Sequence, residues 1–240
     1  MKEWFENLYC ALTWAWERQI DLPLPERLRG MSDPDRGGAW RLAAFPLLGW
    51  LIGVIAAAPG CAAELLFNRF TGAVLFALAG FLVLTFRDSG RSDGVVSGML
   101  ADLLPGKDLP MRLIVPTLLM FVRFALLMLL FMQGNASQLP LTLAGIFAME
   151  TLLTLDGGFV PPLLEDDPAA RRRFWIVVIL VTLGSFLCGR LATALGAAGF
   201  AVAWRVFQRK SERDGTDLAQ ITLAGSVTGW ILLLAGLLSV

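Results

Sequence analysis

Six uninterrupted apolar runs decide what this chain can fold into. They cover residues 42–58, 70–86, 113–133, 139–155, 174–207 and 218–240. A helix needs roughly 17–25 mostly apolar residues to cross a bilayer. An amphipathic helix of a soluble domain would break such runs with polar side chains every turn. The run 174–207 is too long for one crossing, and Gly189-Arg190 divides it into two short helices. Pro59-Gly60 closes the first run. The expected fold class is all-α, a polytopic integral membrane helical bundle of about seven transmembrane helices. Composition agrees: 56% of the 240 residues are hydrophobic, more than a soluble core of that size requires.

The first forty residues read differently. Trp4, Phe5, Leu8, Tyr9, Leu12, Trp14, Ala15 and Trp16 form an aromatic-rich stretch flanked by Glu3, Glu6, Glu17 and Arg18. Tryptophan favours the headgroup region, so an N-terminal interfacial helix is expected, ended by Leu22-Pro23-Leu24-Pro25. Two units follow: a cytoplasmic interfacial segment, 1–41, and a transmembrane helical domain, 42–240. The acids and aromatics of the opening residues do not suit a cleavable signal peptide. Cys10, Cys61 and Cys188 are scattered through apolar sequence and read as small packing residues. Histidine is absent, which removes imidazole bases, His-ligated metals and His proton relays.

Charge gives the orientation. With seven spans, segments 1–41, 87–112, 156–173 and 205–217 share one side and carry 17 of the 20 basic residues. Arg69 and Arg190 fall on the other side and Arg123 within a span. The positive-inside rule makes the rich side cytoplasmic, with the N-terminus inside and the C-terminus outside. All twelve aspartates lie on that same side, while the opposite loops hold only Glu64. Solvation alone would place acids on both sides. Carboxylates beside arginine and lysine suit Mg2+ and phosphate, because hard oxygen ligands hold the metal while the cations neutralise phosphoryl charge.

The densest such segment is Arg87-Asp88-Ser89-Gly90-Arg91-Ser92-Asp93-Gly94, followed by Asp102 and Gly106-Lys107-Asp108. Asp88 and Asp93 stand about 140° apart around a helix and share a metal only if the glycines bend the segment. An ordinary solvated loop remains the other reading. Arg123 and Glu150 are the two charges deep in the spans. Such residues face the interior and pair, so an Arg123–Glu150 ion pair is expected, with a cavity-lining role as the alternative. The runs around Arg171-Arg172-Arg173 and Arg209-Lys210 read as solvated, topogenic loops. In the sixth span, Ala192/Gly196, Ala194/Ala198 and Gly199/Ala203 are small residues four apart, suited to close helix packing.

Several of these segments resemble the cobalamin synthase family (adenosylcobinamide-GDP ribazoletransferases) of the bacterial inner membrane. Ala11-Leu12-Thr13 through Arg18 to Leu22-Pro23-Leu24-Pro25 is similar to the family's ALxFLTRLPLP opening. Ala44-Phe45-Pro46-Leu47-Leu48-Gly49-Trp50-Leu51-Ile52-Gly53 resembles its FFPLVGLLIG first span. Asp88 and Asp93-Gly94-Val95-Val96-Ser97-Gly98 fall where it has HLDGLADTxDGLFSG, Lys107-Asp108 on its RDS, and Asp214-Gly215-Thr216-Asp217-Leu218-Ala219 on its TGDxLGA. The resemblance implies a transferase in which the 5′-oxygen of α-ribazole, or of its 5′-phosphate, attacks the phosphoanhydride of adenosylcobinamide-GDP and GMP leaves. It implies Asp88, Asp93 and Asp108 as catalytic Mg2+ ligands, and Arg87, Arg91, Lys107 and Asp217 as substrate-binding residues. The partners implied are membrane lipid and those two substrates, with no nucleic acid; a homo-oligomer or a membrane partner subunit stays open. The chain departs from the pattern where Gly90 holds an acidic place, the motif histidine is missing, Leu109-Pro110-Met111-Arg112 replaces glycines, Met149-Glu150 stands at a Ser-Arg, and Thr222-Leu223 at an acid. Alternatives are an inactive homologue serving as a membrane scaffold, and a transporter using Arg123 and Glu150.

Overall fold

A computed structural model describes residues 2–20, 23, 40–87, 89–91, 94, 97–98, 109–156, 168–189 and 218–238. Seven helices of length stand among them: α1 (Lys2–Gln19), α2 (Arg41–Leu66), α3 (Arg69–Phe86), α4 (Leu109–Met132), α5 (Gln138–Asp156), α6 (Pro168–Gly189) and α7 (Leu218–Leu237). There is no strand among the described residues. Three helices are long and apolar enough to cross a membrane: α2, α3 and the Ile114–Met132 part of α4. The apolar stretch described in α7, Thr222–Leu237, is shorter.

The apolar runs end where sequence expects, with one exception. α3, α5 and the start of α7 lie within a residue or so of the predicted spans. α2, however, does not stop at Pro59-Gly60 but continues to Leu66 with Pro46 and Pro59 inside it. A proline removes one helical hydrogen bond, which an apolar, helix-packed setting tolerates. Gly60 explains the local geometry: a Cβ there would collide with Phe76 and come within 2.9 Å of the Gly72 carbonyl oxygen on α3. The close α2–α3 contact needs the glycine, and the helix carries on past it.

α5 is the axis of the bundle. Its described residues are buried almost without a break from Gln138 to Thr151, and it packs most extensively on α2 and then on α7. Glycines set both seams. At Gly49 a Cβ would stand 2.5 Å from the Leu143 carbonyl oxygen, and at Gly53 2.8 Å from the Pro140 nitrogen. Register therefore falls on α5 as it rises on α2, so the two run antiparallel. Gly225 lies against Glu150, Gly229 against Ile146 and Gly236 against Gln138, which makes α7 antiparallel to α5 as well. Small residues four apart allow such approach. α4 packs on α3 and α7.

The outward faces are apolar. Ile114, Leu118, Phe121 and Leu129 of α4 are exposed, as are Trp175, Ile176, Ile179 and Leu180 of α6. Contiguous exposed apolar surface on this scale suits contact with a membrane or with another protein. α1 packs against α2 through Ala11, Trp14 and Ala15, with Trp14 edge-on to Phe45 at 5.4 Å. Near its start Trp4, Phe5 and Tyr9 are exposed beside Glu3 and Glu6.

Candidate functional site

The chemistry of the described residues converges where α3 ends beside α5. Arg87 follows the last residue of α3 and is only 5% exposed; Glu150, two turns before the end of α5, is 6% exposed. The Arg87 guanidinium donates from Nη1 to Glu150 Oε2 at 2.9 Å and from Nη2 to Oε1 at 2.7 Å. Two parallel bonds of this kind give the strongest and most directional pairing between these side chains. Phe147, one turn back on α5, lies under the same guanidinium, its ring centroid 5.5 Å from Cζ. Room for the carboxylate comes from Gly225 on α7, where a Cβ would run into Glu150 Oε1. Leaving either ion alone in such a place would cost several kcal/mol, so each needs the other.

Sequence reasoning paired Glu150 with Arg123; the structure gives it Arg87 in bidentate geometry. The reason is helix order. Arg87 ends α3 at the same end of the bundle as the last turns of α5, a shared side the loop charges foretold, but which helix packs on which is not written in the spacing. Arg123 is also buried, with its guanidinium 5.0 Å over the Trp230 ring of α7. It lines a cavity of about 10 Å³ together with Arg87, Ser226 and Trp230. That space is water-sized.

Just beyond Arg87 the chain turns sharply. Gly90 N–H donates to the Thr85 carbonyl at 2.8 Å and Ser89 N–H to the Phe86 carbonyl at 3.4 Å. This pair of bonds is the Schellman ending of a helix. It puts Ser89 at φ 56°, a left-handed conformation that favours glycine, and Gly90 at φ 78°. Arg91 then stands exposed. On the other side of Arg87 an apolar groove of about 340 Å³ opens between Trp16 and Ile20 of α1 and Leu82 and Phe86 of α3.

The expected site residues divide accordingly. Arg87 is placed in the buried pair and Arg91 on the surface. Asp88, Asp93, Lys107, Asp108 and Asp217 lie outside the described residues. Among the described residues no three His, Cys, Asp or Glu side chains stand close enough to hold a metal. The nearest described acid, Glu150, already gives both oxygens to Arg87. Among the described residues there is thus no donor set against which Mg2+ can be fitted. Sequence reasoning overlooked Ser226, Trp230 and the Gly49/Gly53 and Gly225/Gly229 pairs, although the four-residue glycine spacing was there to be read. No protein-family model, curated protein or solved structure matches the chain.

Proposed function

We propose that this chain is a seven-span protein of the bacterial inner membrane and a transferase of the cobalamin synthase type, joining adenosylcobinamide-GDP to α-ribazole or its 5′-phosphate with release of GMP. The observation that carries the reading is the Arg87–Glu150 pair. It pins the end of α3 to α5, so the acidic segment that begins at Asp88 leaves from a fixed point at one end of the bundle.

Helix direction supports the span count. α7 runs antiparallel to α5, so it starts at the end of the bundle where α5 finishes. The first turns of α6 are at that end too, since the Arg173 guanidinium lies 5.0 Å over the ring of Trp40, at the start of α2. α6 has 22 residues, about 33 Å of helix. If it crosses, residues 190–217 must bring the chain back, which makes seven crossings. The two short turns at the far end, 67–68 and 133–137, contain no charged residue, as the positive-inside rule asks of an outer face.

In this reading the 5′-oxygen of α-ribazole attacks the phosphoanhydride, its proton is released, and GMP departs. Arg91 and Lys107 bind the diphosphate and Asp217 contacts substrate from the segment before α7. Arg87 acts through the backbone: it keeps Ser89, Gly90 and Arg91 in place. Mg2+, when bound by Asp88, Asp93 and Asp108, would neutralise charge on the phosphoryl oxygens. The test is GMP release by purified protein given adenosylcobinamide-GDP, α-ribazole and Mg2+. Release that disappears in Asp93→Asn supports the proposal, and none from a folded preparation sinks it.

One observation favours a second reading, the inactive membrane scaffold. Both terminal nitrogens of Arg87, counted among the phosphate contacts, are committed to Glu150. A folded protein that releases no GMP under any condition would leave that reading standing.

A further inference from the structure

We infer that the cavity between α3, α4, α5 and α7 holds one small hydrogen-bond acceptor, a water molecule or a halide ion, bound by Ser226 and the arginines that share its wall. This goes beyond the transferase reading and does not depend on it. The cavity measures about 10 Å³, close to the smallest space that takes a single water. Arg87, Arg123, Ser226 and Trp230 supply its polar and aromatic wall, and Leu84, Ile146, Gly229 and Leu233 make up the rest.

Ser226 is the independent sign. It is 4% exposed, and its hydroxyl oxygen has no hydrogen-bond partner. Three buried threonines nearby are satisfied within their own helices, while Thr85 Oγ1 on α3 is, like Ser226 Oγ, without a partner among the described residues. Thr142 donates to the Gln138 carbonyl at 2.7 Å, Thr151 to Phe147 at 2.7 Å and Thr228 to Ala224 at 2.8 Å, each four residues back. Ser226 does not bond in that way. A buried hydroxyl left without a partner is costly, and native interiors supply one from protein or water. Guanidinium groups only donate, and the indole can only donate. The wall contains no carboxylate side chain among its lining residues. An occupant that accepts from Ser226 and from an arginine N–H therefore completes the set, and only a one-atom species fits.

The experiment is a crystal structure of the full chain with and without a bromide soak, paired with the thermal midpoint of Ser226→Ala. A peak within hydrogen-bonding distance of Ser226 Oγ is expected. Anomalous signal at that peak after the soak identifies a halide site, and its absence identifies water. Ser226→Ala is expected to lower the midpoint by about 2–4 °C, because the occupant loses a partner. An empty cavity, or a midpoint that holds or rises on removal of the hydroxyl, overturns the inference.

Discussion

The two ends of this bundle are built by different means. At the end with the 67–68 turn, neutral polar atoms cap the helices and tie α7 to the turn after α4. Asn68 accepts from the Thr71 amide at 2.8 Å to start α3, Gly134 takes φ 82° to end α4, and the Asn135 amide nitrogen donates 2.9 Å to the Gly236 carbonyl near the end of α7. The charged pair present there, Glu64 with Arg69 at 3.8 Å, is exposed and contributes little. At the opposite end a buried bidentate pair joins helices 63 residues apart in sequence. One end is closed by neutral helix caps and a side-chain bond to a backbone carbonyl. The other holds the end of α3 to α5 with a buried charge pair.

The comparison can be broken most severely at Glu150. Glu150→Ala should destabilise the chain by about 3–5 kcal/mol, because Arg87 is left charged in a buried site. Arg87→Met combined with Glu150→Leu should recover most of that loss. Equilibrium unfolding in mild detergent measures both, and a single mutant as stable as the double would show that the pair is solvated. Gly53→Leu comes next, at about 1–3 kcal/mol, since the Pro140 backbone of α5 cannot move aside easily. Its effect belongs to the seam between the ends, so it should weaken folding without altering either terminus.

Smaller effects sharpen the contrast. Asn68→Ala removes a helix cap and should cost about 1 kcal/mol, the usual worth of such a bond. Ser89→Gly should stabilise by about 0.4–1 kcal/mol by removing a left-handed serine. The same unfolding assay reads both. If Ser89→Gly destabilised instead, the Schellman ending after α3 would be wrong.

Much of this architecture was legible from the sequence for a simple reason. Apolar run length is a local property, and a crossing helix has to be that long, so α3 and α5 ended as expected. Pro59, itself exposed, misled because an apolar helix tolerates the one hydrogen bond it removes, while the adjoining Gly60 packs closely on α3. That Arg87 joins Glu150 was beyond reach, since which residues meet there depends on how the helices pack around α5. The glycine pairs 49/53 and 225/229 did carry their signal in plain spacing. Ser226 carried none: a single serine in an apolar helix looks the same whether its hydroxyl bonds backward or turns into a cavity.

Cysteine labelling tests the central claim, that the end holding Arg87 and Glu150 is the cytoplasmic face from which the acidic segments depart. In a chain with Cys10, Cys61 and Cys188 replaced, Arg91→Cys, Asp217→Cys and Gln133→Cys are labelled singly in intact cells. The account predicts that an impermeant reagent modifies only position 133, while positions 91 and 217 react after the membrane is opened. Positions 91 and 133 reacting from the same side, or 217 reacting from outside, would contradict it.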